Sequence, residues 1–163
     1  MKKIFILSLL GLKFTVPIFC GITAIQNLAI SVDSESSIIT SGNPGTLSIT
    51  LNAEGTGSST DTSTTYTVTS NTKKKGTLKI TGSITSGGNM PTNTSLTVRL
   101  NSQSGTSQGT QTLTSTAIDL VTKLPTLVSD TGLITYAFNV VNGWTIAAQT
   151  LNRTITLTLT DEN

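Results

Sequence analysis

The chain of 163 residues has no histidine and a single cysteine, Cys20. One thiol excludes an intramolecular disulfide. A zinc site would have to rest on carboxylates alone, which structural zinc sites avoid, and a cysteine–histidine or serine–histidine nucleophile pair cannot be built. Charged residues make up 11% of the chain and aromatic residues 4%, so groups able to hold a charge or move a proton are few. Among the acidic ones, Asp33 and Glu35 lie two apart and Asp161 and Glu162 are terminal. Nothing in the local sequence selects a glycosidase-type pair from Glu54, Asp61, Asp119 or Asp130. Loops near Asp33, Glu35, Asp61 and Asp130 offer oxygens for calcium but lack the regular acidic spacing of an EF-hand. The expectation is a protein that is not an enzyme and uses no cofactor.

What is present at the N-terminus is Lys2 and Lys3 followed by an apolar run from Ile4 to Phe19. This pattern predicts a secretory signal peptide over residues 1–24, its end falling between 21 and 29 at Gly21, Ala24 or Ala29. Lys13 and Pro17 interrupt the run, which falls short of the roughly 20 apolar residues of a membrane span. Cys20 is preceded by Pro17-Ile18-Phe19 and lacks the flanks of a lipidated cysteine. The mature domain is then residues 25–163, with no membrane association after cleavage, located in the periplasm, on the surface or in the medium. Losing Lys2, Lys3 and Lys13 leaves seven basic residues against eight acidic ones, a net charge of −1. No broad basic face remains for nucleic acid, and Lys73-Lys74-Lys75 reads as a solvated hairpin tip.

Along the mature chain the dominant pattern is a period of two. Residues 153–160 alternate threonine with Ile155, Leu157 and Leu159, so one face joins a core and the other meets solvent. The same period predicts strands at 26–32 (Leu28, Ile30, Val32), 46–53 (Leu47, Ile49, Leu51), 64–70 (Tyr66, Val68), 77–84 (Leu78, Ile80, Ile84), 96–100 (Leu96, Val98, Leu100) and 111–114 around Leu113. A central strand is expected at 132–141, with Ile134, Tyr136, Phe138 and Val140 on one face, and a closing strand at 147–160. Residues 33–44 read as a serine-rich connection, 64–70 and 77–84 as a β-hairpin, and 116–121 as a single helical turn. About seven to nine short strands separated by turns predict one all-β domain, a single antiparallel sandwich.

The segments Gly-Thr-Leu-Ser-Ile-Thr-Leu-Asn-Ala at 45–53, Thr-Thr-Tyr-Thr-Val-Thr-Ser-Asn at 64–71 and Arg-Thr-Ile-Thr-Leu-Thr-Leu-Thr-Asp at 153–161, behind a lysine-led signal, carry a resemblance. The chain resembles small exported bacterial Ig-like sandwich proteins, with a fainter likeness to fimbrial and adhesin-type modules. The resemblance spans most of the mature chain, implies an Ig-like sandwich and carries over no catalytic residue. It departs from known fimbrial patterns in having no disulfide, no prepilin-type cleavage motif and no aromatic-ended C-terminal strand. Two functions are expected from different classes. One is a cell-surface or fibre subunit, or an adhesin-like module. Its N-terminal strand (Leu28, Ile30, Val32) completes the sheet of another copy or another surface protein. The alternative is an extracellular carbohydrate-binding module that stacks glycans on Trp144 beside the Asn142-Gly143 turn.

Overall fold

The computed structural model describes residues 28, 29, 31–72 and 75–162. The chain divides into two units, Met1–Val32 and Asp33–Asn163. The signal peptide expected over residues 1–24, Cys20 and the cationic Lys73 and Lys74 lie outside the described residues. In the first unit Leu28, Ala29, Ser31 and Val32 belong to no strand, and Ile30 lies outside the described residues.

The second unit is an all-β sandwich. Its strands are β1 (Ser36–Ser41), β2 (Gly57–Asn71), β3 (Thr77–Ser86), β4 (Thr94–Leu100), β5 (Thr106–Ser107), β6 (Gln111–Thr112), β7 (Ile118–Pro125), β8 (Leu127–Val140) and β9 (Thr154–Glu162). They form a five-stranded sheet in the order β1-β2-β8-β4-β6 and a four-stranded sheet in the order β5-β7-β3-β9, every pair antiparallel. After the β1–β2 pair, each successive strand lies in the opposite sheet. Inner faces meet in one core: Tyr66, Val68, Leu96, Val98, Leu100, Ile134 and Tyr136 from the larger sheet, Leu78, Ile80, Leu120, Val121 and Leu124 from the smaller. Period-two alternation is what allows this, because it presents a continuous apolar row to the facing sheet while threonines and serines meet water.

The alternation at 132–140 does form the central strand: β8 is third of five, with Ile134, Tyr136 and Val140 buried. Four expectations are corrected. The serine-rich stretch at 33–44 contains β1, whose Ser36, Ser37 and Ser41 hydroxyls pair with Ser70, Thr69 and Thr65 at 2.8, 2.9 and 2.6 Å. Cross-strand hydroxyl pairs of this kind stabilise a sheet without an apolar signal. Residues 64–70 and 77–84 are not a hairpin, since β2 pairs with β1 and β8 whereas β3 pairs with β7 and β9. Residues 116–121 form no helical turn but enter β7. The register of β7 on β3 shifts twice, between Leu78 and Ile80 and between Ile80 and Thr81. Each extra residue in a bulge displaces the alternation by one. Ile118, Leu120, Val121 and Leu124 therefore all turn to the core, at spacings of two, one and three, which imitates a helical pattern. Asp119 in this strand is a surface partner of Lys79 at 3.0 Å. Finally, residues 46–53 and 147–153 lie in no strand, and they bound the feature described next.

Candidate functional site

The sandwich is open at one corner, and local chemistry explains why. β1 covers only residues 65–70 of β2, leaving the first half of β2 without a neighbour on that side. At Asp61 the β2–β8 register shifts. The Asp61 carboxylate accepts the Ser63 N–H at 3.0 Å and the Ser63 hydroxyl at 2.8 Å, which satisfies the groups that the bulge leaves unpaired. It also accepts the Gly45 N–H at 3.2 Å and so ties down the chain arriving from β1. These bonds, the Ser63 main-chain N–H foremost, hold the Asp61 carboxyl below its ordinary value.

From Gly45 the chain runs extended past the β2 flank with Leu47, Ile49 and Leu51 turned inward and half-buried. Ile49 and Leu51 reach Gly57 and Gly143: a Cβ on Gly57 would stand 2.5 Å from Ile49 Cγ2, and one on Gly143 would collide with Leu51. The absence of side chains there lets this wall close on the sheet. Asn52 then turns the chain into β2, its side-chain oxygen accepting the N–H groups of Glu54 and Thr56 at 3.1 and 2.8 Å. The opposite wall is residues 146–153, between the 3-10 turn Gly143–Thr145 and β9. Among the described residues, no main-chain hydrogen bond joins residues 46–51 or 147–151 to another segment.

Between the walls lies a cavity of about 660 Å³, lined among others by Leu47, Leu96, Tyr136, Phe138, Ile146 and Ile155. Arg153 sits at its rim. Its terminal nitrogens donate to the carbonyls of Asn152 and Asn89 at 2.9 and 2.8 Å, while its buried Nε has no acceptor. The cavity reaches β9, which is the last strand of the smaller sheet, at Ile155. Ile155, Leu157 and Leu159 are only half-buried although they pack on the core; no described strand is paired with β9 on the side away from β3, and β1 of the other sheet lies near it. The far end of β9 is fastened: the Glu162 carboxylate accepts the Thr77 hydroxyl and the Lys123 N–H, both at 2.7 Å, which lowers its carboxyl pKa.

Trp144 sits in the 3-10 turn next to Gly143, a lining residue of the cavity, and is 68% exposed. Its indole lies against Gly55, where a Cβ would stand 2.5 Å from Nε1, and the Gly143 N–H donates to the Gly55 carbonyl at 2.7 Å. Leu28 and Val32 are 82% and 77% exposed, a large apolar exposure for two residues of one phase.

A buried polar centre lies elsewhere. Asp130 is buried in β8 and accepts the Ser102 hydroxyl at 2.6 Å, the Gln103 N–H at 3.2 Å and the Tyr66 hydroxyl at 3.3 Å. Tyr66 also donates to the Asn101 carbonyl at 2.9 Å. The strand pattern contains the signal for this: Asp130 shares its parity with Ile134, Tyr136 and Val140, the inward phase of β8, which is no place for a carboxylate without partners. Its role is to fix the 101–105 loop.

Burial, reinforced by the Asp130 charge, pushes the Tyr66 phenol up to about 12 from 10.0. The unfolded chain therefore gives up this proton near pH 10 while the folded chain keeps it to about pH 12. The resulting stability is complete below the lower value and is lost as pH rises through the window, since the unfolded state there binds fewer protons. Urea unfolding at stepped pH should show this decline, shallower in Tyr66→Phe; identical pH profiles for the two proteins would contradict it.

Among the described residues no three acidic or cysteine side chains cluster closely enough to hold a metal ion. No helix among them is long and apolar enough to cross a membrane. No protein-family model matches the chain and no curated protein is significantly similar to it.

Proposed function

We propose that the exported chain is a non-enzymatic structural or cell-surface protein, a fibre subunit or adhesin-like module, that assembles by strand addition. The observation that carries this reading is the free edge of β9 beside a cavity of mixed lining, which it meets at Ile155, and whose walls at 46–51 and 147–151 make no main-chain hydrogen bond to another segment among the described residues. Edge strands are ordinarily protected by charges, prolines, bulges or short length, because unpaired N–H and C=O groups recruit other strands. The sequence of β9 from 154 to 160, Thr-Ile-Thr-Leu-Thr-Leu-Thr, has no charge and no proline. An added strand would pair this edge, cover Ile155, Leu157 and Leu159, and fill the cavity with alternate side chains.

Light scattering across a concentration series, with electron microscopy, is expected to show assembly that grows with concentration. Leu157→Lys, which places a charge on the inward side of the edge strand, should suppress it while far-ultraviolet circular dichroism stays unchanged. A wild-type protein that stays monomeric at high concentration and forms no filaments sinks the reading.

A second reading rests on one observation, the exposed indole of Trp144 resting on Gly55. A flat aromatic face open to solvent suits the apolar side of a pyranose ring. Here the expected result is a glycan-array signal that disappears in Trp144→Ala. Tryptophan fluorescence indifferent to a broad sugar panel would dismiss it.

A further inference from the structure

We infer that the strand received by β9 is the segment 26–32 of a second copy of this chain, with Leu28, Ile30 and Val32 entering the corner cavity. This rests on the strand-addition reading and names its partner.

Three features of the chain converge on that occupant. The first is pattern. A strand that completes a sandwich edge must be apolar at alternate positions, so that one face fills the core while the other meets water. Residues 26–32, Gln-Asn-Leu-Ala-Ile-Ser-Val, supply three aliphatic side chains in one phase. Two of them, Leu28 and Val32, are among the most exposed large hydrophobic residues described, each more exposed than Trp144. The second is length. Seven residues at about 3.3 Å each span about 23 Å, the same as the seven residues 154–160 of the unprotected edge. The third is charge. Residues 26–32 carry none, and neither do 46–51, 147–151 or 154–160. The cavity lining does carry one ion, Arg153, whose terminal nitrogens are held by the Asn152 and Asn89 carbonyls, and an uncharged strand adds no further ion to be paired.

Donor and acceptor are different surfaces of one chain, so each copy that receives a strand still offers its own. Such a contact is heterologous. It propagates head to tail into an open filament unless the rotation closes a ring. Pairing of β9 with β9 of another copy would instead be isologous and would stop at a dimer.

The test uses the exported chain and a donor-blocked variant, Leu28→Asp with Ile30→Asp and Val32→Asp, whose substitutions lie outside the sandwich unit Asp33–Asn163. Donor-blocked protein is expected to remain monomeric where wild type assembles. A labelled synthetic peptide of residues 25–34 should bind the donor-blocked protein at least about tenfold more tightly than the same peptide carrying the three aspartates. Hydrogen exchange should then slow by at least about tenfold at the amides of 154–160, the edge of β9; protection at 46–51 alone would overturn β9 as the acceptor.

The outcomes separate the two claims. If wild type assembles and the donor-blocked variant assembles equally well, the donor is another surface and this inference falls while strand addition stands. If wild type is monomeric and excludes the peptide although the donor-blocked variant binds it, the segment occupies its own cavity and the second-copy inference is overturned. If nothing assembles and no peptide protects the β9 edge, the underlying reading falls with it.

Discussion

Asp130→Ala is expected to lower the unfolding free energy by about 3 kcal/mol, the removal of charge-assisted hydrogen bonds whose donors stay where water reaches poorly. For a domain of this size that corresponds to a fall in melting temperature of roughly 10 °C. The carboxylate is the hub of a small network. It takes the Ser102 hydroxyl at 2.6 Å and the Gln103 N–H at 3.2 Å, and Ser102 in turn accepts the Gly105 N–H at 2.8 Å. Without it, the loop from 101 to 105 loses its anchor to β8, and the Tyr66 hydroxyl is left with the Asn101 carbonyl alone. Asp130→Asn should cost much less, about 1 kcal/mol, because the amide keeps one acceptor and the two hydroxyls can turn to accept from its nitrogen. Urea unfolding of the two variants measures the difference. An alanine variant as stable as wild type would show that Asp130 is tolerated in the interior and not used by it.

Gly132→Ala is expected to destabilise by a similar amount, about 3 kcal/mol, through overpacking and not through conformational freedom. A Cβ at this position would collide with the Asn101 carbonyl oxygen and stand 2.6 and 2.9 Å from Cε1 and Cζ of the Tyr66 ring. Asn101 cannot retreat easily, since its N–H is bonded to the Leu133 carbonyl at 3.0 Å. Gly88→Ala provides the contrast. Gly88 has φ of +77° with nothing within 4 Å of a built Cβ, so that change should cost only the about 1 kcal/mol of a left-handed conformation. Thermal melts of the two variants rank steric against conformational cost; equal melting points would refute the close approach of β8 to residue 101. Gly132 and Asp130 serve the same corner, so their effects should not add.

Both positions show how much of the molecule can be read along the chain. The parity of β8 marks Asp130 and Gly132 as inward residues, and the same parity correctly places Ile134, Tyr136 and Val140 in the core. β4 and the 154–160 part of β9 are equally legible. β1 is not, because its pairing is made by serine and threonine hydroxyls that look like a loop in sequence. β7 is not, because two bulges break its period of two and leave Ile118, Leu120, Val121 and Leu124 all facing the core. The open corner is the least legible feature. Residues 46–53 alternate as cleanly as any strand of the protein, and Leu47, Ile49 and Leu51 do face inward, yet their main chain pairs with nothing described.

The sequence by itself determined that this is an all-β protein, which residues turn inward in the strands that alternate cleanly, and that neither a disulfide within the chain nor a histidine-bearing site takes part. Those are local properties: a period of two, and the presence or absence of a residue type. Only the tertiary structure decided which strands are neighbours, that successive strands after β2 alternate between sheets, and that β9 ends the smaller sheet as an unpaired edge beside a cavity. Alternation assigns a strand's two faces but not its partners. Both sheets present the same kind of inner face, and partners are selected by packing between residues far apart in the chain.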